Sequence, residues 1–263
     1  MKILLICGSD YSKHSLILLH LIKKEDYKVN KCLIVSHYSF KRFMSYHKQL
    51  DKREFFKKLR DRVIGNVIPG VKISDEMKYV LDFQKELGIT EKKVSTYCKK
   101  NGIPYKVVSD LNHFTSLNFI DKVDLGVYTG GGILGEAFLG KFSIGVFNCH
   151  GGKLPEMRGM NVSEWSVLLN VPLANTLHFM VRELDMGPIV EVIYHDYSSC
   201  KSIDQVRGLG IKYAILDLLY GVKIIISGNY SLYQQKKDQG KNYFSMHPII
   251  KSIVNRKLVR DHV

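Results

Sequence analysis

The sequence predicts a doubly wound α/β protein with a mostly parallel sheet. Three observations predict it. Short runs of β-forming residues alternate with amphipathic helical stretches through the front half of the chain. Glycines fall just beyond several of those runs, where such sheets bind their ligands. No internal repeat or low-complexity linker interrupts the rhythm.

The elements follow in order. Lys2 to Cys7 is a run of β-formers and reads as a buried first strand. It is too short, and too soon followed by Gly8-Ser9-Asp10, to serve as a signal peptide. Tyr11 to Lys24 has the period of an amphipathic helix, and Val29 to Val35 reads as the second strand. A helical, charged insertion is expected from about Ser39 to Leu87. Thr90 then caps a helix that stops at Asn101-Gly102-Ile103-Pro104, with glycine and proline where a helix end needs them. Strands are expected at Tyr105 to Ser109, Val123 to Tyr128 and Gly145 to Asn148, with a short helix near Phe114 to Ile120. Asn161 to Leu169 reads as helix, and Asn175 to Met180 and Ile189 to Tyr194 as strands. Ser202 with Gln205 forms a capping box for a helix reaching about Ile226. From Asn229 the chain turns polar and ends in a short amphipathic tail. Residues 1–200 are thus expected to form one catalytic domain carrying the insertion at 39–87. Residues 201–263 are expected to be a helix and extension packed on it.

Composition narrows the function classes. No apolar run approaches the ~20 residues that cross a bilayer. The five cysteines are scattered, and none is paired at metal-ligand spacing. They read as reduced thiols in a cytoplasmic protein, with no metal site expected. The net charge is +14, and between Lys41 and Arg62 nine basic residues face three acidic ones, interleaved with aromatic residues. This pattern fits a footprint for phosphorylated or nucleic-acid ligands. It equally fits an amphipathic hairpin with a solvated basic face, a homodimer contact or a lid over an acceptor.

The chemistry concentrates later, in Asn148-Cys149-His150-Gly151-Gly152-Lys153-Leu154-Pro155, His178-Phe179 and Glu183-Leu184-Asp185-Met186-Gly187-Pro188. Asn148 and His150 are two apart, so on a strand both side chains project from one face, with Cys149 on the other. An amide is a neutral donor for a developing oxyanion, and an imidazole moves a proton near neutral pH. Gly151 and Gly152 would let the backbone approach a ligand. Lys153 and Arg158 lie near enough in sequence to touch it, Arg158 having an equally good structural reading. Asp185 can orient His150 or carry away a proton; its plainer role is as a turn residue. His178 reads as a core histidine on a strand and Trp165 as core packing. Neither Gly130-Gly131-Gly132 nor Gly8-Ser9-Asp10 has the G-x-G-x-x-G spacing of a dinucleotide site.

Asn148-x-His150, Leu154-Pro155-x-x-Arg158-Gly159-x-Asn161, His178-Phe179 and Leu184-Asp185-x-Gly187-Pro188 together resemble the catalytic core of the folate-dependent formyltransferases. The resemblance runs from about Asp124 to Val192. It implies a Rossmann-like formyltransferase fold and 10-formyltetrahydrofolate as formyl donor. It implies catalytic roles for Asn148, His150 and Asp185. Gly132, Ile133 and Leu134 match a hinge strand whose backbone contacts the pterin. Val181, Arg182, Glu183 and Leu184 match a loop that closes over it. Gly8-Ser9-Asp10-Tyr11-Ser12 does not match the phosphate loop of the glycinamide ribonucleotide enzymes. About seventy residues after the core are too few for the barrel domain usual in methionyl-tRNA enzymes. The chain is therefore most similar to the sugar N-formyltransferases, which implies a nucleotide-diphosphate-linked amino sugar as acceptor. Methionyl-tRNA, hydroxyornithine, glycinamide ribonucleotide and water remain alternatives. So does a non-catalytic, basic nucleic-acid-binding protein on the same frame.

Overall fold

The computed structural model describes residues 1–36 and 75–260. Strand β1 (Ile3–Cys7) is buried at every position. Its side chains alternate between two cores, with Ile3, Leu5 and Cys7 on one side and Leu4 and Ile6 on the other. A strand covered on both faces belongs inside a parallel sheet. β1 accordingly pairs in parallel with β2 (Val29–Val35) and with β4 (Val123–Tyr128). Adding β3 (Tyr105–Val108), β5 (Phe142–His150), β7 (Ala174–Phe179) and β8 (Ile189–Tyr194) gives a seven-stranded sheet in the order β3-β2-β1-β4-β5-β7-β8. β5 to β7 and β7 to β8 are antiparallel, and the other pairings are parallel. The order turns back between β1 and β4, the place where open α/β sheets open a crevice for ligands.

Helices cover both faces. Helices α1 (Lys13–Lys24), α2 (Asp75–Glu86), α3 (Val94–Lys100) and α7 (Ile203–Ser227) bury their apolar stripes in one core. The short helices α4 (Phe114–Phe119) and α5 (Glu136–Leu139) border the other. Helix α6 (Val162–Leu169) and the final helix α8 (Pro248–Arg260) share a third cluster with the start of α7. Among the described residues no helix is long and apolar enough to cross a membrane.

The strands β2, β4 and β8 have the bounds that the sequence predicts, and α7 is capped as expected by Ser202, whose Oγ accepts from Gln205 N at 3.2 Å. Three differences have physical causes. Helix α3 begins at Val94, not at Thr90, because its cap comes from another loop: the Asp10 carboxylate accepts from Ser95 N and Ser95 Oγ at 2.8 and 2.9 Å. Strand β5 runs from Phe142 through His150, longer than Gly145 to Asn148. Gly145 reads as a boundary but sits inside the strand at φ +135°, beneath the Phe179 ring. A second, two-stranded sheet was not expected. In it β6 (Met157–Gly159) pairs in parallel with β9 (Lys241–Tyr243). Of the insertion expected at Ser39 to Leu87, α2 is helical as expected, while residues 37–74, including the basic stretch Lys41 to Arg62, lie outside the described residues.

The small sheet ties the polar C-terminal stretch to the chain just after β5. Gly159 has φ +98°, and a side chain there would collide with the Tyr243 carbonyl, so only glycine lets the two strands meet. Met160 N donates to Tyr243 O at 2.9 Å, and Trp165 Nε1 to Phe244 O at 2.9 Å. Trp165 is thus packed among α6, α8 and β9, as its helical spacing suggests.

Candidate active site

Asn148 and His150 both lie within β5, at its carboxyl end. Antiparallel pairing sets Asn148 opposite His178 of β7, and side chains of an opposed pair share a face. Asn148 Nδ2 lies 3.1 Å from His178 Nε2, and His178 Nδ1 lies 3.1 Å from the Phe179 carbonyl. A carbonyl only accepts, so Nδ1 carries the proton and Nε2 is the acceptor for the Asn148 amide. Burial, and then the neighbouring His150, push the His178 pKa down to about 4, which keeps this tautomer neutral. His178 is therefore more than the core histidine its sequence context suggests. It fixes which end of the Asn148 amide is the donor, and leaves the second amide hydrogen for a ligand.

His150 is buried, with its Nε2 2.8 Å from the Met157 carbonyl and its Nδ1 3.6 Å from Asp185 Oδ2. Asp185 sits in the loop between β7 and β8 in a left-handed conformation, φ +53°. Its Oδ2 accepts from Gly159 N at 2.9 Å, and its own carbonyl accepts from Gln235 Nε2 at 2.9 Å. Gln235 Nε2 also reaches the Gly187 carbonyl, at 2.7 Å. The carboxylate is thus aimed by its neighbours rather than by local turn preference. The three groups that the sequence singles out as catalytic, Asn148, His150 and Asp185, are brought to one place.

The expected acceptor residues are not all brought there. Arg158 is 3% exposed, and its Nε and Nη2 donate to Gln235 Oε1 at 3.2 and 3.1 Å; burial lowers its pKa and the nearby Asp185 carboxylate offsets part of that. It holds the residue that in turn holds the Asp185 loop, which is the structural one of the two roles its sequence position allows. Lys153 pairs with Glu156 at 2.6 Å, one helical turn along in sequence, and this raises its pKa. Gly152 is buried under the histidine. An added methyl would lie 3.0 Å from both His150 Nε2 and the Met157 carbonyl, so this glycine makes room for their hydrogen bond and not for a substrate. Gly151 alone of the four is exposed. Gln235 and His178 are the site residues that sequence reasoning missed.

Two loops joined by an ion pair carry groups that suit a flat heterocycle. The segment Gly130-Gly131-Gly132 has φ of +123°, +140° and +110°, and the chain beyond it is irregular, so the expected hinge strand at Gly132, Ile133 and Leu134 is a loop. Side chains brace it where strand pairing would otherwise act. Tyr128 Oη donates to the Gly132 carbonyl at 2.8 Å, and Asn112 Nδ2 to the Ile133 carbonyl at 3.0 Å. Among the described residues, neither the N–H nor the C=O of Leu134 has a hydrogen-bond partner. The loop 181–185 lies alongside, joined by the ion pair Arg182 Nη1 to Glu136 Oε1 at 3.0 Å. Ile133 and Leu184, 81% and 60% exposed, stand on the two loops. Val181 is half-buried, and Glu183 is exposed. Leu134 itself is buried, and its unpaired backbone beside the exposed Ile133 and Leu184 suits a planar ring carrying a hydrogen-bonding edge, as in a pterin, once the loop opens to it.

The buried histidines carry a pH consequence. His14 and His178 are both held to a pKa of about 4 by burial, below the usual value of 6.5. The unfolded chain binds these protons first, so stability is complete above about pH 6.5 and is lost as pH falls toward 4. Urea unfolding at pH 7.5 and pH 5 is expected to give a lower midpoint at pH 5. An equal or higher midpoint at pH 5 would show that these rings are not held neutral.

No family model matches the chain. Methionyl-tRNA formyltransferase of Thermotoga sp. (strain RQ2) is 35% identical over 101 residues, covering 36% of this chain and 32% of the relative, so the match spans about a third of that protein's length. Three solved structures are similar over most of the chain. An N-formyltransferase of Helicobacter canadensis, solved with folinic acid and dTDP-3-aminofucose, has a TM-score of 0.58 at 15% identity, covering 100% of this chain and 81% of that one. A 4-N formyltransferase of Francisella tularensis has 0.55 at 13%, covering 98% and 87%. Phosphoribosylglycinamide formyltransferase of Anaplasma phagocytophilum has 0.54 at 17%, covering 92% and 99%. The fold is that of the formyltransferases.

Proposed function

We propose that the protein is a folate-dependent N-formyltransferase whose acceptor is the primary amine of a nucleotide-linked amino sugar. The observation that carries this reading is the convergence of Asn148, His150 and Asp185 on one face at the end of β5. When bound, 10-formyltetrahydrofolate supplies the formyl carbon, the new C–N bond to the amine forming as the bond to folate nitrogen N10 breaks. Gly132, Ile133 and Leu134 would hold the pterin by backbone contact, and residues 181–184 would close the other side.

The residues divide the work by charge. Asn148 offers its second amide hydrogen to the formyl oxygen as negative charge grows there. His150 in its imidazolium form is a donor at both nitrogens. Nε2 stays on the Met157 carbonyl, and the single Nδ1 hydrogen is left for the oxyanion, with the Asp185 carboxylate 3.6 Å away balancing the charge of the ring. Asp185 would take the proton that the attacking nitrogen loses, directly or through one water, and the same proton passed on to N10 would let tetrahydrofolate leave as a neutral amine. Fixing both reactants in one cleft lowers the barrier further.

The sugar acceptor is supported by the nucleotide-sugar ligand of the Helicobacter canadensis neighbour. It is supported also by the first turn of α1. Ser12 Oγ there accepts from Ser15 N at 3.2 Å and from Ser15 Oγ at 2.7 Å, and Asp10 adds a negative charge nearby. A helix start whose N–H is already capped by its own serine, beside a carboxylate, is a poor seat for the phosphate of a glycinamide ribonucleotide. The sequence relative favours methionyl-tRNA as the second reading. Five cysteines that form no disulfide fit the cytoplasm as the compartment of this reaction.

The test is release of tetrahydrofolate from 10-formyltetrahydrofolate, first without acceptor and then with a panel of amines. The panel holds nucleotide-linked 3-amino and 4-amino deoxysugars, hydroxyornithine, glycinamide ribonucleotide and methionyl-tRNA. Release that depends on an amino sugar is expected. Release with methionyl-tRNA alone would replace the acceptor, release without any amine would make the protein a hydrolase, and no release with no folate binding would end the catalytic reading.

A further inference from the structure

Two loops meet beyond the sheet, one joining β3 to α4 and the other joining β4 to α5. Asn112 stands exposed on the first and commits its whole side-chain amide to the second. Its Nδ2 donates to the Ile133 carbonyl at 3.0 Å, and its Oδ1 accepts from Gly135 N at 2.6 Å. A carbonyl only accepts and a backbone N–H only donates, so the amide fits in one orientation.

The pattern is that of strand pairing. A parallel neighbour donates to the carbonyl before one residue and accepts from the N–H after it. Here one side chain does both, around Leu134. In such a pairing the N–H and C=O of the enclosed residue point to the opposite edge. Those are the two groups that lack a partner among the described residues. Nearer β4, Tyr128 Oη accepts from Gly132 N at 2.9 Å and donates to the Gly132 carbonyl at 2.8 Å. With both sides tied, the loop cannot turn to give Leu134 backbone partners of its own.

Asn112 is held in turn. Its N–H donates to Asp110 Oδ1 at 2.9 Å, and the Asp110 carbonyl accepts from Ser116 Oγ at 2.6 Å. Leu111, between the two, is buried against the glycine run, so close that a methyl on Gly131 would lie 2.9 Å from Leu111 Cδ1.

We infer that Asn112 is a positioning residue for the formyl donor. By pairing with the backbone on each side of Leu134, it reserves the N–H and C=O of that residue for the hydrogen-bonding edge of a flat heterocycle. The inference rests on the folate-dependent reading for the identity of that ring. Leu134 is 2% exposed, so the donor has to shift its cover. A clamp that served only as a latch would give tighter donor binding when cut; a positioning clamp gives weaker binding.

Calorimetry with 5-formyltetrahydrofolate on the full chain separates the two. Asn112→Ala removes both bonds and is expected to weaken binding about tenfold. Asn112→Asp keeps the shape and the acceptor for Gly135 N, but has no hydrogen for the Ile133 carbonyl, and is expected to weaken binding too. Exchange of the Gly135 amide is expected to quicken in the alanine variant and not in the aspartate one. In turnover, the KM for 10-formyltetrahydrofolate is expected to rise as the affinity falls, with kcat within about threefold of the original. Folate binding by the unaltered chain, with equal or tighter binding in both variants, would overturn this inference alone. So would a fall in kcat at unchanged KM. No folate binding by the unaltered chain would overturn it together with the function it rests on.

Discussion

Replacing Asp185 by asparagine is expected to lower kcat for formyl transfer by about 10²- to 10⁴-fold, the range for loss of a positioned proton acceptor. Folate affinity and the unfolding midpoint are expected to stay close to those of the unaltered chain. The substitution is informative because it removes little besides charge. Asparagine tolerates the left-handed backbone, here at φ +53°. Its amide oxygen can still accept from Gly159 N, and the backbone carbonyl keeps its bond from Gln235. The proton acceptor for the amine disappears, and so does the anion 3.6 Å from His150 Nδ1. Steady-state release of tetrahydrofolate, calorimetry with 5-formyltetrahydrofolate and urea unfolding read the three quantities separately. A kcat within about threefold of the original would remove Asp185 from the mechanism.

His150→Ala is expected to cost about 10²- to 10³-fold in kcat, as deletion of a positioned oxyanion donor does elsewhere. It also leaves the Met157 carbonyl without its partner, at about 1–3 kcal/mol of stability. A companion variant separates the two effects. In His150→Gln the side-chain amide can still donate to that carbonyl but cannot act as an imidazolium beside Asp185. It is expected to recover stability and not activity. Recovery of turnover in the glutamine variant would show that the ring serves only to fill space and tie down Met157.

The legible parts of the sequence were those that depend on local pattern. A strand such as Val123–Tyr128, followed by turn residues, announces itself. So does the Ser202 cap of a long helix, closed by Gly228 in the left-handed region. Asn148 and His150 were readable as a pair because strand alternation alone puts them on one face. What was not legible depends on pairing between distant segments. His178 becomes a partner of Asn148 only through the antiparallel register of β5 and β7. Asp10 caps a helix some 85 positions later, which no capping rule along the chain could find. Gln235 sits in a polar stretch without motif or periodicity, and its importance lies wholly in its two carbonyl partners. Arg158 is an intermediate case: sequence left a ligand role and a structural role equally open, and only the bond to Gln235 shows what the buried guanidinium holds.

The tie between Gln235 and the Asp185 loop also sets an order of events during synthesis. The seven sheet strands have all been synthesised by Tyr194, and α7 follows them directly in the chain. The carboxylate, however, takes its bond from Gly159, whose strand is paired only when Lys241–Tyr243 has been made, and its loop is clasped by a residue fifty positions downstream. A nascent chain halted near Gly228 would hold a complete sheet and an unaimed carboxylate. Competence for the reaction would then arrive late, with the strand that closes the small sheet, and not with the folding of the main one.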